Sequence, residues 1–472
     1  MLTTFTPYSF ETAAPESVGI DSAAIAEFEA RIRKESCGHQ GYMLWRRGKL
    51  VASSIASPYR VTDKRHVYSI SKSWTSTAIG IAVDEGLLSV EDSVISFFPE
   101  LLPETVSDNL AAMKVKHVLS MNTGHDTDTL GRVGTAEPEW AKRFLSLAVE
   151  HEPGTHFAYN STATYMLSAI LTKLTGMRML DYIRPRLLNP LGIKDVTWDE
   201  SPDGVNTGGW GIHVSPEDML KLGILYLNKG VWNGKRILSE EWVEAASSYQ
   251  SDNSANGNAD WKLGYGYQFW RCQHNCYRGD GAYGQYIIVS PDTGSVMVII
   301  SETGDMQKVL DIYWETILAS MTDGINPVKG EFDMSAQPFM PLPTGTADAH
   351  ARQIKLDSNR FGIKAMNIRP CGNGLAVTLT GPEKYSSEIV CGFGAWEYNR
   401  LEHNPIAPNQ FLSAVQLGAP TEIAASYAMD GGILKLRLVF LSSPHGIMLD
   451  IGEKSLSLTA TLDRKPTEVG LI

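Results

Sequence analysis

Cysteine is scarce in this sequence, with five residues among 472. Their odd number and wide scatter exclude a small disulfide-bonded scaffold and predict reduced thiols, so we expect a cytoplasmic protein. Cys272, His274 and Cys276 alternate and would share one face of a strand, but a tetrahedral metal site needs a fourth ligand, and the sequence offers no evident one. We therefore predict no metal. The five cysteines are Cys37, Cys272, Cys276, Cys371 and Cys391.

Long apolar runs and basic clusters are also missing. No stretch approaches the ~20 apolar residues that a membrane-spanning helix needs. Residues 1–7 have neither the basic nor the apolar region of a signal peptide. Lysine and arginine number 41 against 53 aspartates and glutamates, which gives a net charge of −12. We therefore expect neither nucleic acid nor a membrane as a partner.

The chain is long and carries two kinds of periodicity. Its 472 residues are too many for one ordinary core. Apolar residues recur at helical spacing in the middle of the first 325 positions and at strand spacing at both ends of that region. Beyond it comes a stretch rich in proline and glycine, followed by strand-like segments. We predict an α+β domain over residues 1–325, a linker over 326–351 and a C-terminal β-sandwich or barrel over 352–472.

The strands of the first domain are predicted from residues that alternate between apolar and polar. Residues 41–45 and 49–54 flank a short turn near the start of the chain. Residues 264–270, 285–289 and 295–300 favour three adjacent antiparallel strands near the end of the domain. Because helices fill the space between them, we expect the early strands to rejoin the later ones in one sheet.

The stretch from 68 to 74, YSISKSW, places Ser69 three residues before Lys72 at the start of a helical pattern. Residues three apart share a helix face, so Lys72 would lie beneath Ser69. A hydroxyl becomes a nucleophile when a neighbouring base takes its proton, and a lysine is such a base when burial lowers its pKa. Free N–H groups at the helix start would stabilise negative charge on a bound acyl oxygen.

Two further stretches follow this one in order. Residues 159–161 read YNS and are preceded by PGT at 153–155, while residues 279–285 read GDGAYGQ. With the serine–lysine pair, they match the three motifs of the serine β-lactamase-like superfamily, which the chain resembles over residues 15–325. That superfamily includes class C β-lactamases, penicillin-binding D,D-peptidases, family VIII esterases and 6-aminohexanoate-dimer hydrolases. The resemblance implies an antiparallel sheet flanked by helices, together with an all-helical region.

The resemblance also implies a catalytic role for each matched side chain. Ser69 would attack a carbonyl and form an acyl-enzyme, and Lys72 would accept its proton. Tyr159 would pass a proton to the leaving group and then activate water for deacylation. Ser161 would hydrogen-bond to this lysine–tyrosine network and hold its geometry.

The remaining implied features surround the substrate carbonyl. Its oxygen would lie in an oxyanion hole made by the N–H groups of Ser69 and Ala282, with Gly281 as a supporting residue. Trp210 is a candidate for lining the acyl pocket, although a buried aromatic side chain also suits a core. No metal or organic cofactor is required.

Two departures from the family pattern bear on the substrate. Ser161 stands where asparagine ends the second motif of β-lactamases, as in the nylon-oligomer hydrolases, and it also suits an N-cap of the helix that follows. Gly279 stands where family members use lysine or histidine to hold the β-lactam carboxylate; Arg278 and His274 are the nearby candidates to replace it. We therefore do not expect efficient β-lactam hydrolysis.

These observations predict a serine hydrolase that acts on a small ester or amide. Within that class an esterase ranks above an amidase or peptidase, and a β-lactamase ranks last. Two alternatives on the same fold stay open. One is a ligand-binding protein in which Ser69 does not turn over, and the other is an acyltransferase that passes the acyl group to an alcohol or an amine.

Overall fold

The computed structural model describes residues 5, 7–35, 38–323, 330, 340–408, 415–462 and 465–471. Cys37 and much of the predicted 326–351 linker lie outside the described residues. Among the described residues, no helix is both long enough and apolar enough to cross a membrane.

The first 323 residues contain both long helices and strands and several short ones of two to six residues. The α-helices are α1 (Ser22–Lys34), α2 (Ile70–Asp84), α3 (Asp108–Ala112), α4 (Val115–Leu119), α5 (Leu130–Val133), α6 (Trp140–Leu145), α7 (Ser161–Thr175), α8 (Met179–Ile183), α9 (Pro216–Leu227), α10 (Glu240–Ser247) and α11 (Met306–Tyr313). The strands are β1 (His39–Arg46), β2 (Lys49–Ile55), β3 (Arg65–His66), β4 (Thr197–Trp198), β5 (Ile212–Val214), β6 (Val231–Trp232), β7 (Lys235–Arg236), β8 (Trp270–Arg271), β9 (Tyr277–Gly281), β10 (Gln285–Ser290) and β11 (Ser295–Ser301).

The main sheet of this region has the strand order β2-β1-β11-β10-β9-β8. Strand β1 pairs antiparallel with β11, for example Tyr42 with Ile299, so the early strands rejoin the later ones as predicted. Successive side chains of a strand point to opposite faces. Accordingly, Tyr42 packs in a core with α1 and α11, and Met43 packs in a second core with α2 and α9. The predicted α+β sandwich is confirmed.

Helix α2 runs through the middle of the helical region and is buried from Ile70 to Ala82. Its buried hydroxyl groups need hydrogen-bond partners because burial removes them from water. Ser73 Oγ donates to the carbonyl of Gln268 at 3.0 Å, and Thr75 Oγ1 donates to the carbonyl of Gly208 at 2.8 Å. These bonds connect the helix to the loops around it.

The C-terminal part of the chain forms a second sheet with its own core. Its strands are β12 (Arg352–Lys355), β13 (Ala365–Cys371), β14 (Gly374–Thr380), β15 (Ser386–Phe393), β16 (Glu397–Leu401), β17 (Thr421–Asp430), β18 (Ile433–Phe440), β19 (Gly446–Ile451), β20 (Ser455–Ala460) and β21 (Thr467–Gly470). A bridge between Leu356 and Leu471 joins the two outer strands, so the sheet curls back on itself. The predicted all-β fold of this part is confirmed, whereas the domain boundaries stay a prediction.

Near the third motif, one local prediction was wrong and one strand was missed. Residues 264–270 are mostly irregular, and β8 begins only at Trp270, because Gly264 and Gln268 have positive φ angles of 105° and 67° that interrupt an extended strand. Strand β9 was not predicted, since its sequence YRGDG lacks an apolar alternation. Its charged residues are nevertheless buried, and they pair with each other.

Candidate active site

The start of α2 brings the two residues of the first motif into contact. Ser69 is the N-cap residue of α2, and its backbone angles of −70° and −6° are already helical. Lys72 therefore lies one turn along the same face, as its spacing predicted. Its Nζ donates to Ser69 Oγ at 3.1 Å.

Lys72 is enclosed by polar acceptors within an otherwise apolar core. Only 1% of the residue is exposed, and Nζ also donates to Ser161 Oγ at 3.2 Å and to the carbonyl of Gly209 at 2.8 Å. Burial lowers the pKa of Lys72 to about 7, although the negative charges of Asp128 and Asp280 act to raise it. At neutral pH a large fraction of Lys72 is therefore the free amine, which is the form that accepts a proton.

Tyr159 lies beside the serine–lysine pair. The centre of its ring is 4.7 Å from Lys72 Nζ, and the ring stacks on Trp270 with centroids 5.2 Å apart and planes at 26°. Burial raises the pKa of Tyr159 far above its ordinary value, and a hydrogen bond with Ser69 lowers it only in part. Tyr159 is thus held as a neutral phenol in contact with Ser69.

Ser161 begins α7, and it is not the N-cap. That position belongs to Asn160, whose Oδ1 accepts the N–H of Ala163 at 3.1 Å. The N-cap reading of Ser161 was wrong, because the preceding amide side chain satisfies the free N–H group. The Ser161 hydroxyl is left to face Lys72, and its own N–H donates to Asp128 Oδ1 at 3.1 Å.

The turn between β9 and β10 approaches the start of α2 very closely. A Cβ atom on Gly281 would lie 2.2 Å from the carbonyl oxygen of Val67, so only glycine allows this contact. Ala282 follows at once and lines the same cavity as Ser69. In the described chain, neither the Ser69 N–H nor the Ala282 N–H donates to a backbone carbonyl. Both groups are free to bind a developing oxyanion.

Asp280 is a site residue that the sequence analysis missed. It is 8% exposed, and Arg278 Nε donates to its Oδ2 at 2.9 Å. Burial raises the pKa of Asp280 to about 6, while the charge of Arg278 opposes that rise. The neighbouring Gly279 faces α2, where a Cβ would lie 2.9 Å from Ser73 Oγ. Arg278 is thus engaged by Asp280, and His274 is exposed on the β8–β9 turn, outside the cavity lining.

These side chains open into a cavity of about 800 Å³. Trp261 and Trp270 form an aromatic wall, and among the described residues that line the cavity there are three carboxylates but no lysine or arginine. The carboxylates are those of Asp128, Asp280 and Asp305. The structure does not bring Trp210 into this lining, since its ring is buried in the core and stacks on Trp140 at 5.8 Å.

One group of side chains has the spacing for a cation. Among the described residues, the ligand atoms of Asp126, His151 and His156 lie within 4.8 Å of one another. They stand apart from the cavity lining, and hydrogen bonds account for both histidines: His151 Nε2 lies 3.1 Å from Asp126 Oδ1, and His156 Nε2 lies 3.3 Å from the Asp126 carbonyl. In the Cys272-His274-Cys276 stretch, where the sequence predicts no metal, Cys276 Sγ donates to Ser290 Oγ at 3.1 Å.

The chain is similar to known proteins over much of its length. The beta-lactamase family model matches residues 34–319. The 6-aminohexanoate-dimer hydrolase of Paenarthrobacter ureafaciens is 26% identical over 318 residues, which cover 62% of this chain and 80% of that protein.

Two solved structures resemble the fold at low sequence identity. The octameric penicillin-binding protein homologue from Pyrococcus abyssi has a TM-score of 0.51 at 15% identity and covers 94% of this chain and 99% of its own. EstCE1, a hydrolase with promiscuous acyltransferase activity, has a TM-score of 0.52 at 17% identity and covers 62% of this chain and 99% of its own.

Proposed function

The chain belongs to the beta-lactamase family, and on that premise we propose that it is a serine hydrolase that cleaves a small ester or amide through an acyl-enzyme. The observation that carries the proposal is the position of Lys72. Its Nζ is within hydrogen-bond distance of both Ser69 and Ser161, and its pKa of about 7 makes it a base at neutral pH. The similarity to the 6-aminohexanoate-dimer hydrolase of Paenarthrobacter ureafaciens supports the same class.

Acylation follows from these contacts. As Ser69 Oγ attacks the substrate carbonyl, its proton passes to the free amine of Lys72. The carbonyl oxygen gains negative charge, and the N–H groups of Ser69 and Ala282 stabilise it. The proton then moves from Lys72 through the phenol of Tyr159 to the leaving group. Because the pKa of Tyr159 is raised, the tyrosine acts as a neutral relay rather than as a phenolate.

Deacylation reverses these roles with water as the nucleophile. Water gives its proton to Lys72 by way of Tyr159, and the hydroxide attacks the acyl carbon. The proton returns to Ser69 Oγ as the carboxylic acid leaves. Ser161 keeps Lys72 in place through both steps, since its hydroxyl accepts a hydrogen bond from Nζ at 3.2 Å.

The charges of the cavity favour a neutral or cationic substrate. Of the three carboxylates in its lining, that of Asp280 is paired with Arg278, which leaves the charges of Asp128 and Asp305, and Gly279 provides no cation for a substrate carboxylate. An anionic β-lactam would meet repulsion here. We therefore rank esters and amides above β-lactams, and we propose neither nucleic acid nor a membrane as a partner.

The test is intact-protein mass spectrometry after incubation with a fluorophosphonate probe, combined with turnover of p-nitrophenyl butyrate. We expect both signals in the wild type, and we expect Ser69→Ala to lose both. Ser73→Ala is the matched control, because Ser73 is a buried serine of the same helix whose hydroxyl donates only to the Gln268 carbonyl among the described contacts. A wild type that binds substrate without labelling or turnover would support the ligand-binding alternative.

Acyl transfer is a second candidate, favoured by the size of the cavity. At about 800 Å³ it has room for an acceptor beside a small acyl group. The acyl-enzyme would then react with an alcohol or amine in place of water. Product analysis with added acceptor separates the two reactions, since hydrolysis yields only the free acid.

We also propose that the protein is cytoplasmic, because its described cysteines form no disulfide bonds. Cys272, Cys276, Cys371 and Cys391 are free thiols, as suits a reducing compartment. Cell fractionation with detection of the native protein tests this location.

A further inference from the structure

The loop between β18 and β19 of the C-terminal sheet docks against the region that carries Ser69. The N–H of His66 donates to the carbonyl of Ser442 at 2.8 Å, and the hydroxyl of Tyr59 donates to the carbonyl of Ser443 at 3.2 Å. The last residue of the loop, His445, is 1% exposed. The second sheet therefore contributes a buried histidine to the neighbourhood of the catalytic serine.

His445 is held at both ring nitrogens. Its Nδ1 lies 2.8 Å from Glu302 Oε1, and its Nε2 lies 2.5 Å from the hydroxyl of Tyr68. A carboxylate accepts hydrogen bonds, so Nδ1 carries the proton and donates to Glu302. With the proton on Nδ1, Nε2 is an acceptor, and the Tyr68 hydroxyl donates a hydrogen bond to it. Tyr68 immediately precedes Ser69 in the chain.

Two tyrosines beside the predicted oxyanion hole have strained backbones. Tyr68 has a φ of 52° and Tyr283 a φ of 68°, in the left-handed region that bulky residues rarely adopt. Tyr68 adjoins Ser69, and Tyr283 adjoins Ala282. A strained conformation persists only where its surroundings over-determine it.

The same histidine contacts both strained residues. The rings of Tyr68 and Tyr283 meet edge to face with centroids 5.0 Å apart, and the ring of His445 lies 4.9 Å from that of Tyr283. His445 thus completes a cluster of three rings with Tyr68 and Tyr283. These two tyrosines are the chain neighbours of Ser69 and Ala282, whose N–H groups form the predicted oxyanion hole. Among the described residues that line the substrate cavity, none belongs to this cluster.

We propose that His445 is a positioning residue: from the C-terminal sheet, it holds Tyr68 and Tyr283 in their strained conformations and so fixes Ser69 Oγ and the oxyanion hole. The inference rests on the proposed function. Misplacing reacting groups by about 1 Å costs on the order of 100-fold in rate. Because the cluster does not touch the cavity, its loss should lower kcat and leave KM nearly unchanged.

The experiment compares four single variants and one double variant by kcat, by KM for p-nitrophenyl butyrate and by the rate of fluorophosphonate labelling. His445→Phe keeps an aromatic ring and removes both hydrogen bonds. Tyr68→Phe removes the hydroxyl from the other side of the same bond. We expect each to lower kcat and labelling by on the order of 10- to 100-fold, with KM changed less than about threefold.

Tyr59→Phe is the matched control. It removes a buried hydrogen bond to the same loop, at Ser443, without touching the three-ring cluster. We expect its kcat to equal that of the wild type. Thermal unfolding of each variant shows whether it is folded, and His445→Gln, whose amide can still bond to the Tyr68 hydroxyl, should recover part of the lost kcat.

The double variant Tyr68→Phe/His445→Phe tests whether the two residues act as a unit. We expect it to be no slower than either single variant, because both remove one shared interaction. Fully multiplicative losses, an unchanged kcat in His445→Phe, or an equal loss in Tyr59→Phe would each overturn the inference. A wild type that neither labels nor turns over would instead overturn the proposed function, and the inference with it.

Discussion

Lys72 Nζ and Ser69 Oγ lie 3.1 Å apart at the first turn of α2, and burial holds the pKa of Lys72 at about 7. The lysine must be unprotonated to accept the serine proton, so activity should follow the fraction of free amine. We expect kcat/KM for a neutral ester to rise with pH and to level off above about pH 8, with an apparent pKa near 7. A pH–rate profile from pH 5 to 9 measures this limb. A profile without a limb near pH 7 would contradict Lys72 as the base.

The charge of Asp128 should affect the pH at which kcat/KM rises, because it acts on the pKa of Lys72. A negative charge near Lys72 favours the ammonium form and raises its pKa, so Asp128→Asn should shift the limb to lower pH and raise kcat/KM at pH 6 by roughly twofold. The amide oxygen can still accept the Ser161 N–H. Asp305→Asn is the control. Asp305 lines the same cavity, but its side chain caps α11 and is not among the charges that act on the pKa of Lys72. The idea fails if both variants shift the limb equally.

The acidic lining of the cavity should select substrates by charge. Three p-nitrophenyl esters of similar length test this: a trimethylammonio-pentanoate, a hexanoate and the monoester of adipic acid. We expect kcat/KM to fall in that order, with about a tenfold difference between cation and anion at low salt that narrows as salt is added. A preference for the adipate monoester would rule out the charge argument.

The Arg278–Asp280 pair should matter for stability as well as for the site. Removing one partner leaves a buried charge without compensation, so Asp280→Ala should lower the free energy of unfolding by about 3–5 kcal/mol. Urea denaturation measures the change. Glu388→Ala is the control, because it breaks the exposed pair with Arg369, and we expect no resolvable change. Equal effects from both substitutions would show that burial of the first pair has no consequence.

Gly281 should tolerate no side chain. A Cβ there would lie 2.2 Å from the Val67 carbonyl, which forces the β9–β10 turn away from Ser69. We expect Gly281→Ala to lower kcat by on the order of 10-fold or more, since it displaces one oxyanion donor. Gly131→Ala is the control, because a Cβ at that position meets nothing within 4 Å. Steady-state kinetics of both variants decides whether the close approach is required.

The sequence revealed the parts of the site that depend on local spacing. Ser69 and Lys72 meet because a helix brings residues three apart together. The early strands were predicted to join the later ones because their apolar residues need a sheet with buried faces. Sequence spacing alone does not report which polar groups become buried together. It missed the Arg278–Asp280 pair, and it offered Ser161 as a second-role cap of α7 although Asn160 takes that position.

Contacts between distant segments were beyond sequence reasoning for a related physical reason. His445 sits in a loop between two strands, a position where no periodicity constrains the residue type, and its partner lies at the other end of the chain. Trp210 is a second such case, because the sequence left it open between the pocket and the core. Aromatic side chains near a motif suit both a pocket and a core, and only the packing on Trp140 distinguishes them.

Tyr68 and His445 are 377 positions apart, so the hydrogen bond between them forms only after most of the chain has been synthesised. A ribosome delivers the serine early and the histidine near the end, and domains generally fold in the order in which they emerge. A nascent chain therefore contains Ser69 long before His445, the residue that contacts Tyr68, has been added. If the bond positions the serine as we propose, synthesis itself delays full reactivity until the last strands have been made.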